Sequence, residues 1–387
     1  MVQTQQNLSL TVVDTPELPS ALAADWRRLA AGMPLHDWDW YEPWWRHYRT
    51  TRDRLCVLVA HDTDRQVRGI IPWYQSRSLA SGKVLRFLGD NEICTDYQSL
   101  LALPQDGPAV GRTVAHWLLA EGSDRWDLLD WRGKTADDSA LCELSQILES
   151  QGATFQRKEL ENSWRIELPD TWEAYLRECI SKSRREKVRY LERRYFKSGR
   201  AVHHVLESPA QIDEYLNILV ELHQARRAEL GDAGCFADPA FLRFHREVMQ
   251  RMAATGRLRL HYVTLDGQPA AAEYSLLGDD GQYYYQSGMQ PKLGHDKPGW
   301  LCLMSSLRLA IESKLKFFDF LRGNEAYKAS WGARPIPLAQ RRIAARNPLS
   351  QLRNAVRVAG ERFRHWAKSC LRPVPPAASE PPPTLTN

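Results

Sequence analysis

Residues 282–331 read QYYYQSGMQPKLGHDKPGWLCLMSSLRLAIESKLKFFDFLRGNEAYKASW, and the order of elements within them decides the fold. The Tyr283-Tyr284-Tyr285 run suits a buried strand. The segment from Gly294 to Gly299 holds Pro298 and no apolar periodicity, so it reads as a loop. Leu301, Met304, Leu307 and Ala310 or Ile311 then recur at helical spacing, and Phe317 to Leu321 is a short apolar run fit for a strand. The order is strand, glycine-containing loop, helix, strand.

That order can build an anion site. A helix starting at a loop presents unpaired backbone N–H groups, and its dipole puts partial positive charge there. Lys292, His295 and Lys297 add cations beside the amides of Gly294 and Gly299. By itself the pattern is equally that of a solvated loop capping a crossover helix.

Working outward, 387 residues exceed one typical core and suit two domains plus a tail. With 43% hydrophobic and 26% charged residues, the composition is that of an ordinary globular protein. No window carries the roughly 18 apolar residues a spanning helix needs, and the N-terminus lacks the n- and h-regions of a signal peptide, so a cytoplasmic location is expected. Seven scattered cysteines with no C-x-x-C spacing argue against a disulfide framework or a zinc site, and no metal is expected. The net charge of +5 is locally concentrated: Lys182 to Arg200 holds nine Lys or Arg against two Glu, and Arg346 to Arg372 seven against one. An anionic partner would bind there.

Along the chain, Leu8 to Val13 reads as a first strand and Glu17 to Ala31 as a first helix. His36 to Tyr48, HDWDWYEPWWRHY, is dense in aromatic rings and serves either as an anchor between sheet and helix or as a stacking platform. Leu55–Ala60 and Val67–Tyr74 form a hairpin; LRLHYVTL, PAAAEYSLL and QYYYQSGM form a meander with D-G turns. The first hairpin answers part of this meander, and RWDLLDWRG (Arg125 to Gly133) answers KFFDFLRG (Lys316 to Gly323). Two copies of one α/β unit fit the length. The first-half loop PQDGPAVG has Asp106 and no lysine, which places the cofactor in the second half. The expected domains are 1–163, without cofactor, and 164–345, with it. They are followed by a basic amphipathic helix over 346–372, docked on its own domain or a partner or lying on an anionic membrane, and a disordered Pro-rich tail over 373–387.

Strand, phosphate loop, helix and strand after an antiparallel meander resembles the GNAT acyltransferase order, and two such units resemble the tandem arrangement of Fem-type transferases. SKSRREKVRYLERRYFKSG, LVELHQAR (Leu219 to Arg226), KPGWL and DFLRGNEAYKASW look like the CelD-type acetyltransferase family, linked to cellulose and exopolysaccharide synthesis. The resemblance spans roughly Leu8 to Ile343. It implies an α/β (α+β) fold of two tandem GNAT-like domains, each a mixed, largely antiparallel sheet flanked by helices. The usual Gln/Arg-x-x-Gly-x-Gly/Ala signature is missing, which weakens the case for acetyl-CoA, since Fem-type relatives take an aminoacyl-tRNA donor.

The resemblance also implies roles. Acetyl-CoA or another acyl-CoA would contact Ser287, Gly288, Met289, Lys292, Gly294, His295, Lys297, Gly299 and Trp300. Tyr327 would protonate the leaving thiolate, while Asp319 or Glu325 would accept the amine proton. A bulge or splay at Ser287 to Met289 would polarise the carbonyl. Glu273 and Tyr285, with Asp96 and Tyr97 from the first half, would line the acceptor cleft; His223, Arg226, Arg322, Lys328 and Trp331 complete the acceptor set. Asp319 with Arg322 could instead be a structural ion pair, and Lys328 a surface cation. Arg184, Arg185, Arg189 and Arg193 could hold a nucleotide-sugar or lipid-linked diphosphate, or a tRNA backbone, or form a solvated face. The expected activity is N-acyl transfer to a small-molecule or lipid-linked amino sugar, or a related precursor, of a surface polysaccharide. Fem-like aminoacyl transfer and a non-catalytic subunit of a polysaccharide synthase are the alternatives. The 346–372 helix would contact that synthase or the inner membrane peripherally.

Overall fold

The computed structural model describes residues 7–90, 93–135 and 138–370; the tail expected over 373–387 lies outside the described residues. The N-terminal half runs β1 (Ser9–Val13), α1 (Ala23–Leu29), α2 (Trp38–Tyr48), β2 (Arg54–Leu55), β3 (Val57–His61), β4 (Val67–Ile71), β5 (Trp73–Ser78), β6 (Gly82–Phe87), β7 (Leu101–Ala102), α3 (Gly107–Leu119), β8 (Leu128–Thr135), α4 (Ser139–Ser150) and β9 (Thr154–Glu159). The C-terminal half opens with β10 (Ser163–Glu167), α5 (Trp172–Glu178), α6 (Lys182–Leu191), β11 (Ala201–Val205), α7 (Ile212–Glu229) and α8 (Pro239–Ala254). It continues with β12 (Leu258–Leu265), β13 (Gln268–Leu277), β14 (Gly281–Met289), α9 (Pro298–Glu312), β15 (Phe317–Arg322), α10 (Tyr327–Ser330), β16 (Arg334–Ile336), β17 (Leu338–Ala344) and α11 (Pro348–Cys370).

The decisive stretch folds as read. β14 and β15 pair in parallel, with α9 as the crossover. The repeat is present too, since β6 and β8 pair in parallel around β7 and α3. The C-terminal sheet has the order β11-β12-β13-β14-β15-β10-β16, and one N-terminal sheet has the order β2-β5-β6-β8-β17-β9. A smaller sheet, β1-β3-β4-β7, carries the first hairpin.

The expected boundaries need one correction. β17 lies within 164–345 by sequence, but it pairs antiparallel with β8 and β9 in the N-terminal sheet. After β9 the chain crosses to the C-terminal sheet, where β10 lies between β15 and β16. The two halves are thus interlocked by the exchanged strand β17 rather than strung in series. Arg342 on β17 fixes the exchange by donating to buried Asp130 on β8 at 3.1 Å.

The aromatic segment proves to be an anchor between the halves. Trp40 is fully buried and meets Phe244 of α8 edge to face at 5.2 Å, and also Tyr285 of β14 at 5.3 Å. One core cluster therefore runs from Trp26, Trp40 and Trp44 to Phe244, Met249 and Tyr274. Such rings bury large areas and prefer this geometry, which leaves no stacking surface for a substrate. Beneath the opposite face of the C-terminal sheet, α5, α6 and α9 enclose a second core built on Val188, Leu301, Leu307 and Phe318.

α11 inverts the usual arrangement. Its inner side is polar: Ser350 donates to Asp127 at 2.6 Å, Arg353 to Asp127 at 3.2 Å, and Arg357 to Gln156 at 3.0 Å. Leu349, Leu352 and Val356 face outward at 54%, 61% and 65% exposure.

Candidate active site

The site begins where two strands part. β14 and β15 are paired only over Gly281–Tyr283 and Phe317–Asp319. Beyond that point β14 stays with β13, and a register shift at Tyr274/Ser275 leaves Tyr285 unpaired. This bulge lies two residues before the Ser287 to Met289 position expected for it, and it turns the end of β14 away from β15. Ser287 directs its carbonyl out of the β13–β14 ladder, where it accepts from His223 Nδ1 at 3.0 Å. In an extended strand the N–H of a residue points to the same side as its C=O, so the Ser287 amide also points out of the β13–β14 ladder. Gly288 is required here: a Cβ would stand 2.3 Å from the His223 backbone nitrogen of α7.

Two cavities meet at this opening. One, of about 350 Å3, lies between the end of β14 and α9, bounded by Ser287, Gly288, Met289, Gly299, Trp300 and Trp331, with Arg226 at its edge. The other, of about 280 Å3, lies toward the N-terminal half, bounded by Asp96, Cys235, Tyr285, Arg322, Glu325 and Lys328. Tyr284, Ser287 and Tyr327 border both. Burial pushes the Tyr327 phenol above its ordinary value, reinforced by the Glu325 charge, and burial does the same to Tyr284. Both phenols therefore hold their protons at neutral pH and can donate them.

Two cations stack on Trp300, a wall of the larger cavity, without lining the cavity themselves. Arg184 of α6 stacks over Trp300 at 4.1 Å, and its Nη1 is buried without a partner; Lys187 lies over the same ring at 5.1 Å. An unsatisfied buried guanidinium nitrogen calls for an acceptor such as a phosphate oxygen. Lys292, His295 and Lys297 are exposed on the 3-10 turn over Pro291–Asp296 and its end, and none of them lines the cavity, nor does Gly294. Pro298 at the first position of α9 removes one amide, and the amides of Trp300 and Leu301 already bond Lys297 O. Arg185 lines neither cavity.

Several expected residues have other tasks. Asp319 is fully buried; it accepts from Tyr97 at 2.8 Å, Ser163 at 3.0 Å, Arg165 Nε and Nη2, each at 3.0 Å, and the Leu321 amide at 2.8 Å. Five converging donor atoms leave it no face toward either cavity, so it clamps the halves together instead of serving as a base. Asp96, also fully buried, pairs with Arg322 across the same junction and takes its amide at 2.9 Å. Lys328 is only 2% exposed, and its ammonium donates to the carbonyls of Leu321, Arg322 and Gly323 at 2.9–3.2 Å and meets Glu325 at 2.9 Å. It closes the turn after β15 and is no surface cation. Glu273, 1% exposed, lies beneath the sheet and lines neither cavity. Tyr285 does border the smaller cavity, and its hydroxyl donates to Ile93 O at 2.7 Å.

His223 stands behind this wall. Its Nδ1 donates to Ser287 O, which fixes the tautomer and leaves Nε2 as acceptor, 3.5 Å from the Cys235 thiol. Burial lowers the imidazole's pKa and raises the thiol's to about 11, so both are neutral. Sequence reading missed Cys235, Arg227, Tyr284 and Cys94 of the smaller cavity. Only Tyr284 had a signal, since alternation along the Tyr283-Tyr284-Tyr285 run sends it to the face opposite its neighbours.

Residues 182–329 match the family model described as an acetyltransferase (GNAT) domain. No curated protein matches the chain. Among solved structures, FemX aligns with a TM-score of 0.58 at 11% identity, over 82% of this chain and 93% of its own. A conserved protein of unknown function from Bacteroides thetaiotaomicron VPI-5482 aligns with a TM-score of 0.54 at 9% identity, over 87% of this chain and all of its own. A tandem GNAT protein from the clavulanic acid biosynthesis pathway aligns at 0.46 and 12% identity, over 88% and 99%. Residues 182–329 are therefore similar to an acetyltransferase (GNAT) domain, within a chain whose fold is similar to that of FemX.

Proposed function

We propose that this protein is an N-acyltransferase that takes an acyl group from acyl-CoA, acetyl-CoA first among them, and passes it to the amine of an amino sugar or related cell-envelope precursor. The observation carrying this reading is that two separate cavities share Tyr284, Ser287 and Tyr327. The larger is at the small end of the about 300–1,000 Å3 usual for ligand sites, which suits a thioester arm, with the phosphate-bearing end outside against Arg184 and Lys187. The acceptor enters from the other side.

The chain's groups divide the work. The Ser287 amide faces the thioester carbonyl and stabilises its developing negative charge. The Tyr327 phenol gives its proton to the departing thiolate, and the Glu325 carboxylate, bordering the acceptor cavity, takes the proton released by the attacking amine. His223 holds Ser287 in place through its carbonyl. The two cavities keep donor and acceptor aligned at one point, where orientation lowers the barrier further.

Calorimetric titration with acetyl-CoA tests the donor, beside Arg184→Ala and the pair Lys292→Ala, Lys297→Ala. Binding lost on Arg184→Ala and kept in the lysine pair is expected. Absence of heat with every acyl-CoA would reject the donor. A second reading, aminoacyl transfer from a charged tRNA, is favoured by the exposed arginines and lysines of α6 beside the same cavity mouth, which suit a nucleic-acid backbone. Transfer to the acceptor only when charged tRNA is supplied would establish it.

The outward stripe of α11 supports a further role for the tail: peripheral contact with an anionic membrane. Seven Lys or Arg against one Glu over 346–372 would repel a second copy of the helix and attract acidic headgroups. Co-sedimentation with phosphatidylglycerol vesicles, lost on Leu352→Glu with Val356→Glu, is the expected result. Equal sedimentation of both proteins would dismiss the contact.

A further inference from the structure

Beneath the larger cavity lies a cluster that acyl transfer does not use. β12 and β13 place His261 opposite Glu273, and α9 brings Cys302 to the same spot. The three are 0%, 1% and 4% exposed. Their donor atoms lie within 4.8 Å of one another.

Hydrogen bonding leaves two of these groups incomplete. Glu273 Oε1 accepts from the Ser275 and Ser306 hydroxyls at 2.6 and 2.5 Å and from the Gln282 amide at 3.1 Å, while Oε2 has no partner. His261 Nδ1 lies 3.1 Å from His203 Nε2, and His261 Nε2 has no hydrogen-bond partner although it stands 3.5 Å from the Glu273 carboxylate. When His261 donates from Nδ1 to His203, the Nε2 lone pair faces a carboxylate in a site closed to water. Two electron-rich atoms so placed are costly unless a cation sits between them.

We propose that His261 Nε2, the Glu273 carboxylate and the Cys302 thiolate bind a divalent ion of the zinc class. Zinc favours nitrogen, sulfur and carboxylate oxygen, and tetrahedral ligands at about 2.0–2.3 Å from the ion stand about 3.3–3.6 Å apart. The 3.5 Å from His261 Nε2 to Glu273 Oε1 already meets that spacing, Oε2 is the carboxylate oxygen left free for the ion, and rotation of the Cys302 side chain closes the set. The charges balance: thiolate and carboxylate together cancel a dication, and the Cys302 sulfur already lies 3.8 Å from His261 Nδ1, from which it turns toward Nε2. His203 fixes the ligand's tautomer from behind, as outer partners of metal-bound imidazoles do. Cys302 also borders the larger cavity, so a fourth position faces the space assigned to the donor.

The test needs neither donor nor acceptor. The full chain is stripped with chelator, titrated with Co2+ and followed for the near-ultraviolet thiolate-to-cobalt band, then challenged with Zn2+. One equivalent is expected, displaced by Zn2+, with the band lost in Cys302→Ala, kept in Cys235→Ala, and affinity weakened about 10–100-fold in His203→Ala. A band that survives Cys302→Ala but disappears in Cys235→Ala would move the ion to the His223 pair and overturn the assignment. No band in the wild-type protein would overturn it outright. Should the core variants fail to fold, zinc-edge X-ray absorption of the wild type decides, requiring one sulfur among the ligands.

Discussion

Asp319→Asn separates the two roles this residue could have. The substitution preserves shape but removes the charge opposite Arg165 and turns an amide N–H2 toward donors that expect an acceptor. Asp319 is fully buried and Arg165 retains 27% of its side-chain exposure. Removing one partner of a buried pair costs about 3–5 kcal/mol. Water reaching Arg165 brings the figure toward the low end, about 3 kcal/mol. At about 2 °C per kcal/mol for a chain of this size, the first thermal transition should fall by about 6 °C. Arg165→Met should cost a similar amount, and the double variant less than the sum by about 1–3 kcal/mol, because both remove one interaction. Differential scanning fluorimetry and urea unfolding measure all three. The clamp is refuted if Asp319→Asn melts like the wild type and loses only acyl transfer, since that is how a catalytic base would behave.

Tyr327→Phe keeps the ring against Phe320 and deletes only the proton donor; kcat should fall by about 10²–10⁴ with unchanged donor affinity, and an unaltered kcat in a steady-state thiol-release assay would remove Tyr327 from the chemistry. Because the phenol titrates above its ordinary value of 10.0, any loss of rate between pH 7 and 10 belongs to another group. His245 is buried in the aromatic core with neither ring nitrogen bonded, and burial lowers its pKa from 6.5 to about 3. Above pH 6.5 both folded and unfolded forms are neutral there; as pH falls toward 3 only the unfolded chain takes the proton, so stability is lost by about 1.4 kcal/mol per pH unit. His245→Phe should flatten this, gaining about 2 kcal/mol over wild type between pH 7 and pH 5 in urea unfolding, and parallel acid curves would contradict the assignment.

What could be read in advance was local. The order strand, loop, helix, strand depends on side-chain periodicity within 282–331, and Ser287, Gly288, Gly299, Trp300 and Tyr327 reach the site because their own elements carry them there. The exchanged strand β17 was different. LAQRRIA, residues 338–344, has two arginines and no clean alternation, and it becomes a strand because Asp130, more than 200 residues earlier, supplies a buried partner for Arg342. No propensity encodes a partner at that distance.

The same separation governs which carboxylates do chemistry. FFDFLRG places Asp319 at the end of a strand beside the site, where a base would be useful. Its role was decided instead by Tyr97, Ser163 and Arg165, brought to it by the interlocking of the halves. A buried acid whose lone pairs are taken by five donor atoms has its approach blocked, which leaves no lone pair for an incoming amine proton. Glu325, six residues on, has one short contact to Lys328 and an exposed carboxylate, and the proposed mechanism therefore gives the proton transfer to it. Two acids in one motif thus stand in opposite surroundings, and the difference lies in residues that the motif does not contain.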